Sequence, residues 1–186
     1  MELKEAIFTR RSVRKYKDQP VSKETINTLI EAAIQAPSAS NSQPWAFAVI
    51  QDPELLKSYS DRAKVLMLDL MGDDPNARGY KTALSNPDFN IFYNATSLVV
   101  IYTTSKGPLA NGDCCLAAQN LMLTAHDNGL GTCWIGFSML LLNSAEMKKE
   151  LGIPEEYTAA ASLIVGYPEK NPSATSRKPP QILAWK

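Results

Sequence analysis

The residues best suited to chemistry are Arg10-Arg11-Ser12-Val13-Arg14, three guanidiniums in five positions with a hydroxyl between them. Arg carries forked donors that match phosphate oxygens two at a time, and its charge does not titrate away. A helix later comes Ala36-Pro37-Ser38-Ala39-Ser40-Asn41-Ser42-Gln43-Pro44-Trp45, a run of short polar side chains between apolar segments. Such a loop turns backbone N–H groups and Asn and Ser side chains toward a ligand. Together the two stretches predict one phosphate-bearing, hydrogen-bonding, partly aromatic ligand, for which flavin mononucleotide (FMN) is the natural candidate.

Other groups offer less. Gly129-Leu130-Gly131, followed by Gly136, looks like a dinucleotide loop but follows a helix and enters a strand. The dinucleotide fingerprint requires the order strand, glycines, helix. A helix stop fits better, followed by a strand whose Ile135 and Gly136 amides approach a planar ligand, since glycine has no side chain to block it. His126 is the sole histidine and sits near a helix end, where a cation meets the dipole favourably; a structural role suits it better than catalysis. Cys114, Cys115 and Cys133 read as small core residues. Arg177-Lys178 is either a solubilising pair or a phosphate clamp delivered late in the chain. No activated nucleophile, paired carboxylates or metal-ligand spacing stands out, so no catalytic side chain and no metal are expected. If the chain is an enzyme, a cofactor carries its chemistry.

Length and composition set the frame. The 186 residues, 45% apolar and 20% charged, match one globular domain spanning 1–186. Nineteen basic residues balance 19 acidic ones, which argues against a nucleic-acid surface. The start, Met1-Glu2-Leu3-Lys4-Glu5, lacks the apolar stretch of a secretory signal. No run approaches the roughly 20 apolar residues that cross a bilayer. Three cysteines, two of them adjacent, fit a reducing compartment and predict a cytoplasmic location.

The elements that must position these residues follow from periodicity. Leu3, Ala6 and Ile7 predict a short helix ending near the Arg cluster. Ser22 is the expected N-cap of a second, whose Ile26, Leu29, Ile30, Ala33 and Ile34 share one face until Pro37 ends it. A strand is predicted over 46–50, then a helix opened by Asp52-Pro53. Residues 72–90 read as irregular. Ser97–Thr103 is the clearest strand. A helix over 113–128 follows, with Leu116, Ala117, Asn120, Leu121, Thr124 and Ala125 on one face and Gly129 as its left-handed stop. A short strand over 132–137 comes next. Asn143 and Glu146 then form a capping pair for a helix ending at Gly152. The last strand spans 159–167, and a proline-rich tail from Pro168 runs extended over a surface. Without regular βαβ alternation, the class is α+β.

These segments, in this order, resemble the nitroreductase family of FMN-dependent oxidoreductases. The resemblance rests on Arg10 to Tyr16, the 36–45 loop, the 113–125 helix, Gly129 to Gly136 and Arg177 to Pro180. It implies an α+β fold with a mostly antiparallel central sheet flanked by helices, forming a homodimer with FMN at the interface. By that resemblance Arg10 and Ser12, within the Arg10-Arg11-Ser12 start of the motif, hold the phosphate, and Arg177 closes on it. Arg14 lies by the pyrimidine edge. Pro37, Ser38, Ala39 and Asn41 reach the flavin from the partner chain, and Ile135 and Gly136 present amides near N5 and O4. The implied activity is ping-pong hydride transfer from NAD(P)H through flavin N5 to nitroaromatics, quinones or related acceptors. The alternatives are a flavin carrier or sensor without turnover, or a specialised same-fold enzyme for dehalogenation, dehydrogenation or flavin breakdown.

Overall fold

Every residue of Ser97–Thr103 is buried in the computed structural model, which describes residues 1–186. Successive strand side chains point to opposite faces, so a wholly buried strand needs cover on both. Four strands supply the sheet: β1 (Trp45–Ile50), β2 (Ser97–Thr103), β3 (Gly131–Trp134) and β4 (Thr158–Gly166). Their spatial order is β1-β2-β4-β3, antiparallel throughout. Seven α-helices accompany them: α1 (Leu3–Thr9), α2 (Lys23–Ala33), α3 (Pro53–Met71), α4 (Arg78–Leu84), α5 (Pro108–Asp127), α6 (Met139–Leu142) and α7 (Ala145–Leu151). The α+β expectation holds.

Two apolar clusters occupy the two faces. Leu98, Val100 and Tyr102 of β2 pack with Leu56, Tyr59 and Ala63 of α3 and with Leu141 and Leu142 of α6. Val99 and Ile101 pack with Ala117, Ala118 and Leu121 of α5 and with Ile26 and Leu29 of α2. Fully burying each such large aliphatic side chain contributes about 1.5–3 kcal/mol. None of the helices is long and apolar enough to cross a membrane.

Several caps are as expected. Ser22 accepts from the Thr25 amide, and Asp52 accepts from Glu54 and Leu55 ahead of Pro53. Gly129 and Gly152 end α5 and α7 at φ 73° and 68°. Four expectations need correction. Residues 72–90 are not all irregular: Asp74 caps a 3-10 turn at Pro75–Ala77 that leads into α4. The α5 helix starts at Pro108, and its buried strip is Asp113, Cys114, Ala117, Ala118, Leu121, Met122 and Ala125. Leu116 is exposed, because packing on both the sheet and α2 rotates the helix away from the predicted face. β3 stops at Trp134, and Gly136–Ser138 form a 3-10 turn. Ser144, not Asn143, caps α7, while the Asn143 Oδ1 accepts from the Ala159 N–H at 2.8 Å and anchors the start of β4.

Candidate functional site

The Arg segment is held against β3 and β4 by two glycines. Leaving α1, the chain bridges Ser12 to Thr132, and the Val13 N–H donates to the Thr132 carbonyl at 2.9 Å. Val13 lies over Gly131, where a Cβ would come within 2.6 Å of its Cγ2. Tyr16 lies over Gly166, where a Cβ would meet its ring at 2.8 Å. Gly131 and Gly166 are register partners, so the missing side chains open one shallow seat for residues 13–16. The Tyr16 hydroxyl donates to the Val13 carbonyl at 2.8 Å and tightens that turn. The close approach that Gly131 permits is thus made by the chain itself.

The charges this seat displays are uncompensated. None of Arg10, Arg11, Arg14 or Arg177 has a carboxylate partner among the chain's ion pairs. Burial, then repulsion from Arg11 and Arg177, holds the Arg10 guanidinium below its ordinary pKa. Arg177, far along the chain, thus lies within electrostatic reach of Arg10. Arg11 is turned inward: its Nη1 donates to the Phe8 and Arg10 carbonyls, and its Nε is buried without a partner. It buttresses the segment rather than extending from it. The Cys133 thiol is pushed up chiefly by burial, against Arg14, a hydrogen bond with Ser12, and Arg10. Burial thus disfavours the thiolate that a Cys133 nucleophile would need. Burial likewise pushes the Cys114 thiol up to about 11.

Beside this cluster lies a cavity of about 310 Å³, mostly aromatic and apolar. Arg14, Ile135 and Gly136 line it with Tyr80, Ile91, Tyr93, Cys133, Trp134 and Phe137. Tyr80 meets Phe137 edge to face at 5.6 Å, and the Arg14 guanidinium sits 5.8 Å from the centre of the Tyr93 ring. One correction follows for the two predicted amides. The Ile135 N–H donates to the Ser162 carbonyl at 2.8 Å, and the Ser138 hydroxyl donates to the Ile135 carbonyl at 3.0 Å. Ile135 is a buried extension of the sheet, so its amide does not face a ligand. The Gly136 amide, one residue on, has no partner within the chain.

The 37–41 loop lies elsewhere. The Ala39 N–H donates to the buried Asp113 Oδ2 at 3.2 Å, near the start of α5. Ser40, Asn41 and Gln43 hold left-handed φ of 53°, 54° and 48°. The turn is fixed by Gln43, whose N–H donates to Ser38 Oγ and whose Nε2 donates to Asn41 Oδ1. Pro37 and Asn41 are exposed, and Ser38 and Ala39 half-buried. The Arg segment adjoins the other end of α5, where His126 Nε2 meets Thr9 Oγ1 at 2.8 Å. At 1.5 Å per residue, Asp113 and His126 stand roughly 20 Å apart along the axis. One chain does not bring loop and Arg segment together. His126 is no cation for the dipole: burial, then Arg10, pushes its pKa down. The Thr9 hydroxyl donates to Glu5, so the neutral ring offers Nε2–H to Thr9.

The sequence reading missed Tyr80, Ile91, Tyr93, Trp134 and Phe137 as cavity residues and Asp113 as the loop's anchor. The left-handed φ of Tyr93 and Asn94, 53° and 55°, leaves no compositional mark. Asn90 carries a turn signature, its Oδ1 accepting from the Phe92 N–H.

The chain resembles known proteins in sequence and fold. The profile of the nitroreductase family matches residues 7–167. A protein of Archaeoglobus fulgidus, provisionally named NADH dehydrogenase/NAD(P)H nitroreductase, is 32% identical over 88% of this chain and 83% of its own. A nitroreductase of Bacteroides fragilis, solved with bound FMN, is 25% identical over 100% of both chains, with a TM-score of 0.86. A BluB-like flavoprotein of Clostridium difficile is 29% identical over 96% of this chain and 95% of its own, at a TM-score of 0.80. With the profile spanning most of the sequence and the fold shared end to end, the chain belongs to the nitroreductase family.

Proposed function

We propose that this chain is an FMN-dependent oxidoreductase that draws on NAD(P)H and delivers to quinones, nitroaromatics or related planar acceptors. The observation that carries the reading is a set of guanidiniums without carboxylate partners, Arg10, Arg14 and Arg177, beside an aromatic cavity lined by Arg14 and Gly136. Like charges crowded without carboxylates are relieved by an anion, and guanidiniums match a phosphate best. Relatives with FMN bound or with nitroreductase names point the same way.

FMN, when bound, supplies the hydride acceptor and donor. The chain supplies position and charge. Arg10, Ser12 and Arg177 hold the phosphate. Arg14 faces the pyrimidine edge and offsets the negative charge that reduction places there, a preorganised electrostatic contribution. The free Gly136 amide donates toward the opposite edge, and Tyr80 with Phe137 offers flat apolar walls to acceptors. The 37–41 loop, some 20 Å from its own Arg segment along α5, serves the site of a second copy. Exposed Leu109 and Leu116 on α5 and Ile182, Leu183 and Trp185 in the tail offer apolar surface for that homodimer. The three free thiols suit a cytoplasmic setting.

The test is anaerobic. The purified yellow protein should bleach on addition of NADH or NADPH and recolour with a quinone or nitroaromatic, and heat should release FMN. A protein that holds FMN but does not bleach is a carrier; one that holds FAD, or no flavin after reconstitution, refutes the site.

A further inference from the structure

Outside the cavity lining, α3 holds a buried ammonium. Lys64 is 6% exposed, and burial of a charge is costly unless it is well paired. Its Nζ donates to the Phe89 carbonyl at 2.9 Å, lies 3.4 and 3.5 Å from the carbonyls of Asn86 and Pro87, and pairs with Asp61 at 3.0 Å. One turn earlier, the buried Ser60 Oγ accepts from the Ile91 N–H at 3.0 Å. These two side chains pin the 86–91 segment to α3 at both ends. That segment leads directly into Tyr93 and Asn94, consecutive non-glycine residues at φ 53° and 55°. Such conformations persist only where the surroundings over-determine them.

Contact then runs outward without a gap. The Phe89 ring meets the Tyr93 ring edge to face at 5.7 Å, and the Tyr93 ring lies 5.8 Å from the Arg14 guanidinium. Arg14 is exposed and has no carboxylate partner, so the Tyr93 face is what restrains its long, rotamer-rich side chain. We propose that Lys64 is a positioning residue: by fixing the 86–91 segment it sets the Tyr93 ring, and the ring holds Arg14 at the cavity wall. The proposal rests on the reading of Arg14 as the cation at the flavin's pyrimidine edge. Under it, the electronic tuning of the cofactor is anchored in α3, outside the cavity.

Sulfite binding to the holoprotein reads this directly. Sulfite adds through sulfur to oxidised flavin N5 and leaves negative charge on the pyrimidine edge, so its affinity reports a cation held there. Lys64→Met and Tyr93→Leu should each weaken sulfite binding roughly threefold to tenfold, the scale of a lost cation–π restraint. Tyr93→Phe keeps the ring and should match the parent. Arg14→Met should weaken sulfite at least as much, and adding Lys64→Met to it should change nothing further. Parent-like sulfite affinity in Tyr93→Leu overturns the proposal even if Lys64→Met fails to fold. So does an undiminished Lys64→Met effect in the Arg14→Met background, which would mark a merely structural lysine. If Arg14→Met alone leaves sulfite affinity unchanged, Arg14 is not at the flavin, and the proposal falls with that placement rather than with the α3 anchor.

Discussion

Replacing Gly131 with Ala tests how the Arg segment is seated. The new Cβ would lie 2.6, 2.7 and 2.9 Å from Cγ2, Cβ and Cγ1 of Val13. Carbon atoms in good contact sit at about 3.5–4.0 Å, so the overlap is about 1 Å. Because Val13 Cβ is rigidly attached to the backbone, no rotamer relieves it; the segment must retreat. A retreat of that size stretches the 2.9 Å bond from the Val13 N–H to the Thr132 carbonyl beyond hydrogen-bonding range. Overpacking of this kind costs about 1–3 kcal/mol, and each kcal/mol lowers Tm by about 2–4 °C in a chain of this length. Arg10 and Ser12 ride on the same segment. Losing the aim of one charge-assisted phosphate bond, about 1.5 kcal/mol, weakens FMN binding about tenfold. Thermal unfolding of the apoprotein and FMN titration measure the two effects separately. Val13→Gly removes all three offending atoms, so in that background Gly131→Ala should cost almost nothing more. If the two costs simply add, or if Gly131→Ala leaves both Tm and FMN affinity intact, the seat has been misread.

Three further outcomes are expected. Arg10→Ala or Arg177→Ala should weaken FMN binding about tenfold to a hundredfold while barely changing riboflavin affinity; equal losses for both ligands would show that the guanidiniums do not hold the phosphate. Sedimentation at micromolar concentration should give twice the 20.4 kDa chain mass, and a lone monomer would contradict a loop acting in the partner's site. Stability should fall as pH drops through the ordinary histidine value of 6.5 toward the lowered folded value of His126. In that window the unfolded chain binds the proton and the folded one does not, so stability rises with pH. Thermal melts of His126→Gln against pH should lack this part of the acid loss, and a parallel profile would refute it.

What the residues alone determined is what depends on short separations along the chain. Ser22 caps α2, Asp52-Pro53 opens α3, Gly129 and Gly152 end their helices, and the unbroken apolar run of β2 lies at the centre of the sheet. Each signal acts within a turn or a strand's length, so it survives in the sequence. The same logic was available for α4, since Asp74-Pro75 repeats the Asp52-Pro53 start. Gly79 and only seven residues left too little apolar period to see the helix itself. The two stretches proposed for the ligand stand out because clustered Arg, and clustered Ser and Asn, are chemically unusual wherever they fall.

Tertiary structure decided the rest. It put Val13 on Gly131 and Tyr93 beside Arg14. It gave the Ile135 amide to Ser162 rather than to a ligand, and turned Leu116 outward on α5. It set the 37–41 loop and the Arg segment at opposite ends of one helix. Each outcome turns on which residues, dozens of positions apart, compete for one acceptor or one volume. No local periodicity records that competition; it is settled only when both faces of the sheet are packed.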